Sequence, residues 1–170
     1  LQHHDCDLAV ARGAAAYGRA RAQGGLRIRG GLPRSYYIAV EVARPAVPGI
    51  APPTKAICVA PQGMEEGTSQ LLPGLELGLV LGELVEFPFM TTNERPDDVA
   101  GQVVEDWEDE EQIEPIATVT SVLRSAELEH PLVPVTLETV ATEVGTLELW
   151  CQQKGGEGRW KLEFEVREKK

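Results

Sequence analysis

Apolar and polar residues alternate with a period of two through the C-terminal part of the chain. Val133, Val135 and Leu137 alternate with Pro134, Thr136 and Glu138. After a turn near Gly145, Leu147, Leu149 and Cys151 alternate with Glu148, Trp150 and Gln152. Beyond Gly155, Gly156 and Gly158, the residues Trp160, Leu162, Phe164 and Val166 alternate with Lys161, Glu163, Glu165 and Arg167. This period marks strands with one buried and one wet face. Short glycine-containing connections make them antiparallel neighbours. A meander of this kind exposes an apolar face, which needs a second layer to cover it.

The same pattern recurs upstream. Arg34 to Ala43 reads as a strand with Tyr36, Ile38, Val40 and Val42 on one face, and Lys55 to Ala60 as a strand with Ile57 and Val59 inward. Leu75 to Leu81 and Leu84 to Met90 read as a hairpin turning near Gly82. In Gln112 to Arg124, Ile116, Thr118, Thr120 and Val122 alternate with Ala117, Val119, Ser121 and Leu123. Proline and glycine make loops of Arg44 to Pro53 and Pro61 to Gly67. Before all of these, Asp7 is an N-cap for an alanine-rich helix from Leu8 to Ala22. Its small residues Ala9, Gly13, Ala16 and Ala20 form a stripe suited to close packing. The expected fold is mainly β: an antiparallel two-layer β-sandwich of about eight strands preceded by one N-terminal α-helix. The helix occupies 1–23, a Gly-rich linker 24–33, and the sandwich 34–170.

Charge narrows the partners. The chain of 170 residues has 16 basic and 27 acidic side chains, a net charge of -11. This argues against nucleic acid and acidic membranes, both of which need a basic footprint. Arg12, Arg19, Arg21, Arg27, Arg29 and Arg34 are the only charges from Leu8 to Val40. Arg- and Gly-rich segments can bind RNA, but no aromatic stacking platform accompanies this one. Glu105 to Glu111 packs six acids around Trp107. Like charges side by side oppose strand pairing, so the run is expected as an exposed loop pinned by Trp107, with the arginines as complementary charge. No apolar run is long enough to span a membrane, and no signal peptide is visible at the start. Three scattered cysteines, Cys6, Cys58 and Cys151, fit a reducing compartment. The expected location is cytoplasmic.

Motifs for catalysis are missing. Gly24-Gly25 and Gly30-Gly31 lack the spacing of a nucleotide loop, and no serine stands in a nucleophile elbow. His3, His4, Asp5 and Cys6 are adjacent and do not converge as a closed metal site does. His130 is a lone histidine before a proline. Glu65 and Glu66 make a carboxylate pair, in a chain where carboxylates are abundant. No nucleophile, base and orienter assemble, so the chain is expected not to be an enzyme.

Two features together resemble the 70-kilodalton heat-shock chaperone (DnaK-like) family. DLAVARGAAAYG, Asp7 to Gly18, is similar to the last helix of the family's ATPase domain. The segments downstream of this helix keep the family's order. YYIAVE, Tyr36 to Glu41, resembles the first strand of the peptide-binding β-sandwich, and FMTTNE, Phe89 to Glu94, resembles its third strand leaving through an F-x-T segment. VTLETVATEVGTLELWC, Val135 to Cys151, resembles the hairpin that turns at a glycine, here Gly145. The resemblance implies the C-terminal substrate-binding-like domain of a chaperone, clamping an unfolded or extended polypeptide. The cleft lies between Val42–Thr54 and the loop after Phe89, with Val42, Phe89, Met90 and Thr91 as its lining. ATP and Mg belong to an ATPase domain expected upstream of Leu1, and no cofactor is expected in this segment. The chain departs from the family in the proline-rich loop from Arg44 to Pro53, the extra hairpin from Leu75, the acidic run, and a linker without the usual acid-plus-leucines pattern. Lid helices are also lacking. The proline-rich loop and the acidic run favour an alternative, a non-catalytic interaction or scaffold domain that has lost peptide clamping.

Overall fold

The computed structural model describes residues 6–23, 30–41, 52–109, 112–122 and 132–165. A helix, α1 (Cys6–Gln23), precedes β1 (Ser35–Glu41), β2 (Thr54–Ala60), β3 (Thr68–Val80), β4 (Leu84–Thr92), β5 (Val103–Val104), β6 (Glu114–Val122), β7 (Leu132–Ala141), β8 (Leu147–Gln153) and β9 (Arg159–Glu165). A single 3-10 turn, Trp107–Asp109, lies between β5 and β6. Among the described residues no helix is long and apolar enough to cross a membrane.

The chain is mainly β and antiparallel, as the alternation requires, but it does not form two layers. Among the described residues nine strands make one sheet in the order β3-β7-β8-β9-β6-β4-β1-β2-β5, curled into a half-barrel. The strand that overturns the sandwich is β9. Its first residues pair with β8, Leu162 opposite Leu149, and its last pair with β6, Phe164 opposite Val119. What would have been separate sheets are therefore one. Alternation fixes the face of each strand but not its neighbour, so the sequence does not reveal this link.

The expected hairpin between Leu75 and Met90 is also corrected. The chain does turn at Gly82, whose φ of 81° suits a residue without Cβ. However, β3 pairs with β7, and β4 pairs with β1 and β6. The turn carries the chain across the concavity instead of folding it back on itself. β3 is also longer than expected, because a shift of register between Leu71 and Glu76 breaks its alternation around Pro73 and Gly74.

The concave side holds the main core. Ile38, Val59, Phe89 and Val119 from one half meet Leu72, Val135, Leu137 and Leu149 from the other. The halves are also tied by a buried hydrogen bond, Thr139 Oγ1 of β7 donating to the Val59 carbonyl of β2 at 2.7 Å. A second cluster lies on the convex side of β1, β2 and β4. There Tyr37, Ala39, Ala56, Cys58 and Met90 are covered by Val104 and Ile113, with Trp107 against them. Both faces of β1 are thus buried, whereas the sequence pattern marks only one.

The acidic run behaves as expected over 105–109. Glu105, Asp106 and Glu108 are exposed, and Trp107 donates from Nε1 to Thr54 Oγ1 at 3.0 Å. Lys55 Nζ supplies a cation 2.6 Å from Glu105 Oε1. Residues 110–111 lie outside the described residues.

At the other end of the chain, every residue from Leu8 to Arg19 is exposed. The last part of the expected linker is docked. Leu32 N–H donates to the Met64 carbonyl at 3.0 Å, and Gly63 N–H donates to the Leu32 carbonyl at 2.8 Å. A Cβ on Gly31 would sit 2.9 Å from the Gly63 backbone, so only glycine allows this approach.

Candidate functional site

The residues expected to line a peptide cleft can now be placed. Val42 falls outside the described residues. Phe89 is 4% exposed in the concave core, its ring stacked on Tyr36 with centroids 5.5 Å apart. Met90, the next residue along the strand, points to the opposite face and is fully buried in the convex cluster. Thr91 is buried and donates from Oγ1 to the Ser35 carbonyl at 3.1 Å. The structure therefore divides these three residues among separate environments and does not bring them to one groove.

The loops do not flank one opening either. Thr91 and Thr92 pair with Tyr36 and Ser35, at the start of β1. The chain leaves β1 at its other end, Glu41, and re-enters the sheet at Thr54. The loop after Phe89 and the Val42–Thr54 connection thus depart from opposite ends of one strand.

The densest polar constellation is one that the sequence reading missed. Asp98 sits under the convex face with 8% exposure. Its Oδ2 accepts from Tyr37 O–H at 2.6 Å and from Arg95 Nε at 2.8 Å, and its Oδ1 accepts from Gln102 Nε2 at 2.8 Å. Ser35 Oγ donates to the Arg95 carbonyl at 3.2 Å and accepts from Gln62 N–H at 3.0 Å. Burial raises the Asp98 pKa, but the donors Arg95, Tyr37 and Gln102 outweigh it, and the carboxyl is held below its ordinary range. Burial, then the bond to Asp98, raises the Tyr37 pKa. The neighbouring Cys58 thiol is pushed up to about 12 by burial and then by the Asp98 charge.

Chemically this is a clamp. A thiol so raised is protonated at neutral pH and not nucleophilic, and the phenol is held neutral as a donor. The carboxylate is satisfied on both oxygens. The group fastens 93–102 to the back of β1 and β2, where Cys58 exchanges backbone bonds with Gly101 and Gln102. The only sequence signal was Tyr37 itself, a large residue on the face of β1 taken as wet.

A second polar group covers the convex side of β7, β8 and β9. Arg159 Cζ lies 3.9 Å from the centroid of the Trp150 ring and Lys161 Nζ lies 5.6 Å from it. Lys161 pairs with Glu148 at 2.6 Å, and Arg159 with Glu138 at 3.0 Å. The hydrogen bond from Lys161 leads the influences that lower the Glu148 pKa.

Among the described residues no group of three or more His, Cys, Asp and Glu side chains is arranged for a metal ion. His3, His4, Asp5 and His130 lie outside them. In the Glu65–Glu66 loop, Thr68 Oγ1 donates to the Glu65 carbonyl and Glu66 N–H donates to the Gly30 carbonyl. No family model matches the chain, and no curated protein matches it in sequence.

Proposed function

We propose that this chain is a non-catalytic protein-interaction domain that shares segments with a DnaK-like substrate-binding domain but has neither its two-layer sandwich nor an open peptide clamp. The observation that carries this reading is the burial of Phe89, Met90 and Thr91 on β4, with Phe89 and Met90 in clusters on opposite faces of the sheet. A groove that receives a peptide needs apolar side chains reachable from solvent. The role that remains is to dock another protein, or another part of the same protein, by a preformed surface. The acidic balance makes a protein partner the reading, not nucleic acid, and the free cysteines Cys58 and Cys151 accord with a cytoplasmic setting.

The second reading, a working peptide clamp, is favoured by the forms that the resembling segments adopt. Asp7 to Gly18 is helical, Tyr36 to Glu41 lies in β1, and Val135 to Cys151 is the β7–β8 hairpin. Phe89 to Glu94 ends a strand, although it is the fourth in the chain and not the third.

Fluorescence anisotropy with a labelled, extended apolar heptapeptide separates the two. The interaction-domain reading expects no saturable binding at ~100 μM protein, a free energy weaker than about -5.5 kcal/mol. Saturable binding in the low micromolar range would establish the clamp and overturn this proposal.

A further inference from the structure

Residues 30–32 are held to the sheet as a strap. Leu32 N–H donates to the Met64 carbonyl at 3.0 Å, Gly63 N–H to the Leu32 carbonyl at 2.8 Å and Glu66 N–H to the Gly30 carbonyl at 3.2 Å. Gly31 forms an antiparallel bridge with Glu65. Leu32 fills a small pocket made by Ala60, Met64 and Ala141, with Tyr36 and Leu147 packed beside it. Gly31, Pro33 and Arg34 are exposed. The cradle that receives the strap, 61–67, has fastenings of its own. Gln62 N–H donates to Ser35 Oγ, Gly67 N–H to the Ala141 carbonyl, and Thr68 Oγ1 to the Glu65 carbonyl. None of these bonds involves residues 30–32, so the cradle keeps its form when the strap leaves. A segment with one apolar anchor and solvent on its outer side belongs to the part of a fold that opens first.

We infer that 61–67 is a strand-addition site for an extended Gly-Gly-apolar segment of a partner protein, and that residues 30–32 are a latch that keeps it filled. Opening the latch bares the Leu32 pocket together with the Gly63 N–H, the Glu66 N–H and the Met64 carbonyl, backbone groups of the kind that hold an added strand. The chain's own segment shows what fits. A Cβ at Gly31 would lie 2.9 Å from the Gly63 backbone, so that position takes glycine alone. At Gly30 a Cβ would meet the Glu66 carboxylate at 2.8 Å, a side-chain end that can move. The residue after the two glycines fills the apolar pocket. Charge sets the rest: the cradle carries Glu65 and Glu66, and the segment it holds lies between Arg29 and Arg34. The partner segment is therefore basic as well as glycine-rich. Tethered to the start of β1, the latch outcompetes a free segment by its effective concentration, so the native chain is closed to it. The inference rests on the interaction-domain reading above and gives that reading a site and a partner chemistry.

The test is fluorescence anisotropy of the full chain with the acetylated peptide Gly-Gly-Leu-Pro-Arg, a copy of residues 30–34 labelled at its C-terminus. The native chain should show no saturable binding at ~100 μM protein. Gly31→Ala, and separately Leu32→Ser, should open the latch and tighten binding ~100-fold, the scale of an effective-concentration effect. In both variants hydrogen exchange should quicken at the Leu32, Gly63 and Glu66 amides but not at those of Gln62 and Gly67, with the melting of the sheet unchanged. Binding should weaken as salt rises and should fail for a peptide with alanine in place of its second glycine. Open amides without peptide binding overturn the inference. So do amides that stay protected in both variants, equal binding of the alanine peptide, or a collapse of melting in both variants, which would make the strap a fixed part of the fold. A native chain whose mass rises with concentration and falls on adding the peptide would give the cradle to a second copy's strap, and overturn a partner protein as its occupant. Saturable binding of the apolar heptapeptide by the native chain, whose cradle is filled, overturns the interaction-domain reading alone.

Discussion

Phe89 and Asp98 show what single residues do here. Phe89 stacks on Tyr36 and fills the concave core. Truncation to alanine leaves a cavity beside side chains drawn from both halves of the sheet. Phe89→Ala should therefore cost about 3–5 kcal/mol in denaturant unfolding, as for other buried aromatic truncations. A loss under about 1 kcal/mol, typical of surface substitutions, would place the ring outside the core. Asp98 acts through charge. Its pKa is lowered in the folded protein, so its contribution to stability is present above the unfolded carboxylate value, about 3.9. That contribution is lost as pH falls from there through the lower folded value. Asp98→Asn should be less stable than the native chain at neutral pH, and the gap should close on acidification below about pH 4. Chemical denaturation of both proteins from neutral to acid pH measures it; a gap that does not change with pH would deny the carboxylate this role. The sequence could not identify either role. Phe89 alternates like any core residue, and Asp98 is one of 27 acids whose partners come from β1 and from its own loop.

At the scale of elements, the alternation was a reliable guide to strands and a poor one to their neighbours. β7, β8 and β9 appear where the alternation from Val133 predicts them, and the helix spans Leu8 to Ala22 as expected but starts at Cys6, so Asp7 lies inside it and does not cap it. The misreadings have physical sources. β5 is too short to show a period. The turn at Gly82 has the chemistry of a hairpin, but its strands find better apolar partners in β7 and in β1 and β6. The stripe of small residues in α1 implied close packing, yet a Cβ placed on Gly13 or Gly18 meets nothing within 4 Å. The glycines therefore weaken the helix, by about 1 kcal/mol each relative to alanine, with no compensating contact among the described residues. At 18 residues α1 is only a little longer than the roughly 12–15 below which an isolated helix is marginal in water. Gly13→Ala combined with Gly18→Ala should deepen the helical circular-dichroism signal and leave the melting of the sheet unchanged. A fall in sheet stability would reveal packing between the helix and the strands.

For the whole molecule, β9 has a consequence for how the chain is made. Strands β6, β4, β1 and β2 lie on one side of it and β8, β7 and β3 on the other. As the ribosome extends the chain from its N-terminus, all of these are synthesised before Arg159. Until β9 emerges, no other ladder among the described strands joins the two parts of the nascent sheet, and both flanks of the missing strand are open edges. Such edges expose a folding intermediate to aggregation. Closure must also bring together residues far apart in sequence, which slows folding. The order of translation thus puts the joining strand behind every strand that it has to join.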